Sequence, residues 1–377
     1  MSFSFGFGGD DIEEDSASAS APAVAAPGPE TPAHSAAPSA SSSAFPVPGK
    51  PQLPPTGHDL QHMLSRLPSK VAFSTLDVAL DDGTTIAIPR RELWDVRVQL
   101  MAEDEAANGE GPEAEGLGSH DVKTGVYEGG FKSWESSVDL VKVLASGRYL
   151  DALKQRPLRV IELGCGTALP SLAILQWTMR DSAARSPLLL TLADYNPTVL
   201  QLVTLPNFIL AWAQERRSQS PVLQEAFALE DELELTPEVL QQFQDFLTSS
   251  QISLNFISGG WSEELVGLLY ESQSKLDKTN ANFDTLLLGA ETIYSPFALD
   301  AFNEMVFAVL SREQRERGSD CQSQALVGAK RLYFGVGGSL DDFVDRARGK
   351  GATVTQIAEE TEGVRRGVVR CTLSSSG

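Results

Sequence analysis

Hydrophobic and polar positions fall into two rhythms along the chain. From residue 158 onward, short apolar runs alternate with segments of helical period. The runs at 158–163, 188–193, 252–257, 283–288 and 325–334 read as strands, and 367–373 closes the set. Apolar residues at helical spacing predict helices over 169–179, 198–212, 263–276, about 298–310, and 340–348. Continuous apolar strands alternating with helices specify an α/β fold whose parallel sheet is covered on both faces. Upstream, residues 71–78 alternate and are rich in β-formers. Asp81-Asp82-Gly83 supplies turn chemistry, and 84–88 reads as the second strand of a hairpin. Pro89-Arg90-Arg91-Glu92 is expected to open a helix running to about residue 105, and 108–118 is a Gly- and Glu-rich loop. Order is expected to begin near Leu67.

Residues 16–56 are built from Ala, Ser and Pro and cannot bury enough apolar area to offset their ordering entropy, so disorder is expected there. The first fifteen residues differ, with Phe3, Phe5 and Phe7 followed by the acidic run Asp10-Asp11-Ile12-Glu13-Glu14-Asp15. Two readings fit them: a solubilising tail, or a short docking motif with aromatic anchors. Residues 216–251 interrupt the strand-helix rhythm and read as an acidic, helical insertion, with Thr236-Pro237 starting a fresh helix. The organisation expected is a tail over 1–58, an extension over 67–124, and an α/β domain over 125–377.

Composition narrows the function. The formal charge of -21 disfavours nucleic acid as a direct partner, because phosphate binding needs basic patches, and it suits a basic protein better. Cys165, Cys321 and Cys371 lie far apart, which argues against a disulfide framework and a paired-Cys zinc site. A reducing compartment follows as the expectation, cytoplasm and nucleus. No apolar run approaches the ~20 residues of a membrane-spanning helix, and residues 1–9 lack the features of a secretory signal. The four histidines all precede the α/β region. His58 and His62 share a helical spacing, but Asp59 stands where a His-Glu-x-x-His motif needs Glu.

In an open parallel sheet, ligands bind beyond the carboxyl ends of the strands, and the informative residues sit there. Glu162-Leu163-Gly164-Cys165-Gly166 ends the first strand of the α/β rhythm. Its glycines let a ligand approach the backbone and the following helix offers amides. Leu169 occupies the position where a dinucleotide fingerprint needs a third small residue. Glu162 would repel a pyrophosphate but can accept a hydrogen bond from a cationic or amino ligand. Asp194-Tyr195-Asn196-Pro197 ends the next strand. Asp194 can accept both ribose hydroxyls of an adenosine, while Asn196 and Pro197 suit an N-cap and first helical position. Gly259-Gly260-Trp261 can admit and line an adenine, or simply form a turn with a buried aromatic. Ala290-Glu291-Thr292-Ile293-Tyr294 faces the transferred group in such folds, unless it is an ordinary polar loop. The run from Gly125 to Ser137 is dense in glycine, aromatic and acidic residues and can form a lid, with Ser136 or Ser137 capping the helix that follows. Tyr333-Phe334-Gly335 can shape a substrate mouth.

Taken together, Gly125-Val126-Tyr127-Glu128-Gly129-Gly130-Phe131-Lys132-Ser133-Trp134-Glu135, the 162–166 turn, Asp194-Tyr195-Asn196-Pro197, Gly260-Trp261 and Glu291-Thr292-Ile293-Tyr294 resemble the histidine protein methyltransferases. The opening Met1-Ser2-Phe3-Ser4-Phe5-Gly6-Phe7 and Pro89-Arg90-Arg91-Glu92-Leu93-Trp94-Asp95-Val96-Arg97 resemble the fungal members. Ser133 and the long 216–251 insertion depart from the pattern. The resemblance implies a Rossmann-like, seven-stranded methyltransferase sheet with an antiparallel final strand. It also implies S-adenosylmethionine as donor and, as acceptor, a histidine of a ribosomal large-subunit protein, methylated on the far (tele) ring nitrogen. The cofactor positions expected are Trp134, Glu135, Ser136, Glu162, Gly164, Cys165, Gly166, Asp194, Tyr195, Asn196, Gly260, Trp261 and Ala290, with no metal. Glu291 and Tyr294 are the candidates for orienting the acceptor imidazole. A monomer is expected. Two other functions fit the same residues: a lysine protein methyltransferase on this scaffold, and a ribosome-assembly factor that binds without catalysis.

Overall fold

A computed structural model describes residues 52–107, 130–147, 156–180, 186–271, 283–317, 321–333 and 338–373. The expectations for the tail up to residue 51, the 108–118 loop, and residues 125–129 and 334–337 lie outside them. The strands, in chain order, are β1 (Thr56–His58), β2 (Lys70–Ala79), β3 (Thr85–Arg91), β4 (Leu158–Leu163), β5 (Leu188–Asp194), β6 (Glu232–Glu234), β7 (Ile252–Ser258), β8 (Asp284–Ala290), β9 (Ser323–Lys330), β10 (Ala352–Glu360) and β11 (Arg366–Leu373). The main sheet has eight strands in the order β1-β7-β5-β4-β8-β9-β11-β10. Neighbours from β7 to β9 pair in parallel, whereas β11 runs antiparallel between β9 and β10. The strand order reverses on either side of β4, which places a crevice at its carboxyl end.

Every residue of β4 and β5 is buried, as expected for parallel strands with helices on both faces. One face carries the helices Leu169–Arg180 and Leu205–Arg216 with the hairpin outside them; the other carries Glu263–Glu271, Pro296–Arg317 and Leu340–Gly349. A charge is embedded in this apolar frame. Arg159, fully buried in β4, pairs with Glu313 at 2.5 Å, and Tyr270 donates its hydroxyl to the same carboxylate at 2.6 Å.

Four local expectations are corrected. Order starts upstream of Leu67: Thr56–His58 pairs antiparallel with β7, and the helix Leu60–Ser65 follows, with Asp59 accepting from the His62 amide at 2.9 Å. Pro89, Arg90 and Arg91 belong to β3, and the helix begins at Leu93. Proline fits there because β3 is an edge strand. The 216–251 insertion is not wholly helical, since β6 joins β2 to make a three-stranded sheet, β3-β2-β6. Thr236 does cap the helix Pro237–Ser249, accepting from Val239 N at 3.3 Å. Finally, β10 lies where no strand was expected.

The hairpin is fastened to the crevice rather than forming its wall. Pro206 lacks the N–H that would reach the Leu202 carbonyl one turn back. The helix widens into a π turn over Leu200–Thr204, and Arg91 Nη1 donates to the Leu202 carbonyl at 2.9 Å instead. The Arg91 guanidinium also donates to Asp95 (2.7 Å) and Gln99 (2.8 Å), and its backbone N–H to Asn207 Oδ1 (2.7 Å).

Candidate active site

At the carboxyl end of β4 the chain turns through Gly164 and Gly166, with φ of +63° and +49°, in the left-handed region that glycine enters at no steric cost. Space forbids a side chain as firmly as conformation does. A Cβ on Gly164 would lie 2.7 Å from Thr292 Cγ2, and one on Gly166 would lie 3.1 Å from the Gly130 carbonyl oxygen. The turn is held from behind by the widened helix. Thr204 Oγ1 donates to the Gly166 carbonyl (2.7 Å) and Asn207 Nδ2 to the Thr167 carbonyl (3.1 Å). Nothing in the sequence pattern marked Thr204 and Asn207, because their role depends on the π turn.

The turn opens on a cavity of about 300 Å³. Its walls include Trp134, Glu162, Gly164, Cys165, Gly166, Asp194, Tyr195, Asn196, Trp261, Ala290, Glu291 and Tyr294. Residues not proposed from the sequence as cofactor or acceptor contacts join them: Gln52, Ser137, Thr167, Thr292, Phe297 and Lys330. Three expected positions lie off the wall. Glu135 faces Arg366, whose Nη1 is 4.0 Å away. Ser136 donates its hydroxyl to Glu291. The space that Gly260 leaves is filled by Gln52. Neither Ser136 nor Ser137 caps the helix Glu135–Ser146: Trp134 holds the N-cap position without a side-chain bond, and Ser137 donates to the Trp134 carbonyl at 2.5 Å.

Carboxylates flank the turn. Glu162 is buried beneath it and accepts from the Ser171 amide (3.2 Å) and hydroxyl. Burial, aided by the nearby Asp194, pushes its carboxyl up to about 7 against those hydrogen bonds. Asp194, at the end of β5, accepts from Gly166 N (2.9 Å) and Asn196 N (3.1 Å). Burial raises its pKa too, opposed by these amides. A carboxylate has about four lone-pair sites, so two amides leave capacity for a ligand. Asn196 caps its helix as expected, accepting from Thr198 N at 2.9 Å.

Across β4, Glu291 follows β8 with φ +56°, an uncommon conformation for a residue with a side chain. The residue is only half-buried as a whole, but its carboxyl turns inward to accept hydroxyl bonds from Ser136 and Tyr333. Burial raises its pKa, against those bonds and the pull of Lys330. Lys330 is buried, with Nζ 5.5 Å from the Trp134 ring centre and 5.8 Å from that of Tyr333. His58 pairs with Ser258 at 2.8 Å, and neither it nor His62 lines the cavity.

The lining suits a nucleoside with a polar, charged end. Asn196 Nδ2 and Thr292 Oγ1 are buried and find no hydrogen-bond partner among the described residues, and both residues line the cavity. The groups that fit such a ligand are the Asp194 carboxylate, with lone pairs beyond the two amides it accepts, and the Glu162 carboxylate beneath the turn, both on the cavity wall.

No family model matches the chain. It is similar to Histidine protein methyltransferase 1 of Schizosaccharomyces pombe, 33% identical over 290 residues, which cover 76% of this chain and 75% of that protein. The protein of the same name from Saccharomyces cerevisiae is 36% identical over 265 residues, 67% of each chain. Among solved structures, the N-terminal domain of human METTL16 in complex with SAH aligns with 84% of this chain and 95% of its own, at 11% identity and a TM-score of 0.34, too distant to bear on function. On the identity and coverage of the two yeast proteins, the chain belongs to the histidine protein methyltransferase family.

Proposed function

We propose that this enzyme methylates the far (tele) nitrogen of a histidine in a basic ribosomal large-subunit protein, with Glu291 orienting the acceptor ring. As a protein-histidine methyltransferase it uses S-adenosylmethionine as methyl donor, which when bound supplies a methyl group already activated by its sulfonium. In this reading Asp194 accepts the ribose hydroxyls. The 164–166 turn and Glu162 receive the amino-acid end, and Trp261 and Tyr195 border the adenine. What supports the reading is which residues flank β4. Asp194 ends the strand on one side and Glu291 follows the strand on the other, so a ligand lying across the turn reaches both.

The observation that carries the acceptor assignment is the fixed carboxyl of Glu291, held by Ser136 and Tyr333. An imidazole has an unperturbed pKa of about 6.5, so at neutral pH much of it is already the nucleophile and needs no strong base. It needs alignment, and proximity with orientation can supply roughly 7–11 kcal/mol. A carboxylate with lone pairs to spare can accept the N–H of one ring nitrogen, turning the lone pair of the other toward the methyl group. The charge of -21 suits a basic protein as substrate, and a monomer acting in cytoplasm and nucleus fits a ribosomal protein met before or during assembly.

The test is incubation with labelled S-adenosylmethionine and ribosomal protein from cells lacking the enzyme, followed by amino-acid analysis. Label in tele-methylhistidine, lost in Asp194→Ala, is the expected result. Label in methyllysine would overturn the acceptor assignment and leave the cofactor reading intact. Tight cofactor binding with no label in any ribosomal protein would overturn the ribosomal substrate.

A further inference from the structure

The two glycines after β7 were read from the sequence as room for an adenine, but that room is taken by the chain itself. Residues 52–58 run across this end of the cavity. A Cβ on Gly259, whose φ is +112°, would fall 2.5 Å from the Pro54 carbonyl oxygen, and one on Gly260 would collide with the Gln52 side chain. Both backbone groups of Leu53 are engaged. Its N–H donates to the Tyr195 hydroxyl at 3.0 Å, and its carbonyl accepts from Gly260 N at 2.8 Å. Beyond it, Thr56, Gly57 and His58 pair with Ser258, Ile257 and Phe256, and the His58 ring meets the Ser258 hydroxyl. Gln52 itself lines the cavity and makes no hydrogen bond to a described residue.

We propose that residues 52–58 form a strap that completes the adenosine end of the cofactor cavity, with the Gln52 carboxamide as its contact to the base. This rests on the cofactor orientation proposed above, in which Tyr195 and Trp261 border the adenine. The chemistry fits. A carboxamide offers one donor group and one acceptor, and adenine presents an amino donor beside a ring-nitrogen acceptor, a pairing that Asn and Gln make elsewhere with both bonds at once. Tyr195 has two parts in this arrangement: its ring faces the cavity while its hydroxyl pins Leu53. The strap is therefore coupled to the ligand through the same residue that borders it. Coupling is reciprocal, so a ligand that gains affinity from the docked strap must hold the strap down by the same factor.

The experiment is hydrogen–deuterium exchange on the full-length protein with and without S-adenosylhomocysteine, together with the dissociation constant of that ligand for wild type and Gln52→Ala. At saturation, exchange over 52–58 should slow about tenfold, and Gln52→Ala should weaken binding by about five- to tenfold, the scale of one hydrogen bond. Because Gln52 is exposed, this variant should melt with wild type when ligand-free. Tyr195→Phe keeps the ring and should speed exchange over 52–58. Protection of the 164–167 turn without protection of 52–58 would overturn the strap and leave the cofactor site standing. An unchanged constant for Gln52→Ala would overturn the contact to the base. Binding that protects neither segment would overturn both this proposal and the orientation beneath it.

Discussion

Glu162 offers a direct measure of how the stability of the fold is balanced against its affinity for the cofactor. Its folded-state pKa of about 7 stands above the ordinary 4.5. The protonated carboxyl therefore favours the fold, fully below the unfolded value, and that contribution is lost as pH rises through about 7. A displacement of this size is worth about 3 kcal/mol at pH 8.5, at 1.36 kcal/mol per pKa unit. Glu162→Gln keeps an oxygen for the Ser171 amide and hydroxyl but cannot ionise. Without ligand, the variant should match wild type at pH 4.5 and exceed it at pH 8.5. At roughly 2.1 cal/mol/K per residue, a folded body of about 270 residues shifts by roughly 1.5–2 °C in Tm for each kcal/mol, so the gain should be roughly 4–6 °C by calorimetry. The cost should appear in binding. If Glu162 meets the cationic amino group of the cofactor, the variant loses a charge-assisted bond of roughly 1.5–3 kcal/mol, and S-adenosylhomocysteine should bind some ten- to a hundredfold more weakly at pH 8.5. Wild-type binding should also release a proton near pH 7, visible as a dependence of titration heat on the buffer. A variant that melts below wild type at pH 8.5, or binds as tightly, would refute this account.

Other residues give sharper tests of single contacts. Glu291→Gln should lower kcat at least tenfold with KM for the protein substrate little changed, because an amide in that place can turn its N–H toward the ring. Arg91→Ala frees the Leu202 carbonyl and the Asp95 carboxylate inside the hairpin junction, and should cost about 3 kcal/mol in urea unfolding. Glu313→Ala strips Arg159 of its buried carboxylate and should cost roughly 3–5 kcal/mol by the same assay, with cofactor affinity unchanged.

The site was legible because its residues follow strands that are buried on both faces, and such strands announce themselves as apolar runs. Glu162, Asp194 and Glu291 each come directly at or after one. What escaped notice depends on partners distant in sequence. The run from Ala352 to Glu360 carries Thr353, Thr355, Gln356, Glu359 and Glu360 on a largely exposed strand, so no apolar run marks it; pairing with β11 makes it a strand. Glu232–Glu234 is only three residues, Glu-Leu-Glu, and is extended because β2 lies beside it. Thr56–His58 follows a proline-rich stretch whose composition outweighed the signal of three residues. Pro89 reads as a helix start in isolation, and only the edge position of β3 explains it. Lys330 reaches the cavity from the end of β9, and the sequence gives no reason to prefer it over its neighbours.

The two margins of the main sheet bear on how this chain survives at high concentration. An open sheet ends in unpaired backbone groups on both sides, and any extended segment of another molecule can add there. On one margin, β1 is only three residues long and leaves little to add to. On the other, β10 is long enough to serve as a template, but its pairing register shifts between Gln356 and Ala358, and it ends in Glu359 and Glu360. The irregularity bends the ladder, and Glu360 adds a negative charge beside Glu359, which is paired with Arg365, against an equally acidic copy approaching edge to edge. A small share of the chain's negative charge thus has a consequence of its own: at the end of β10 it discourages the exposed rim of the sheet from recruiting another copy.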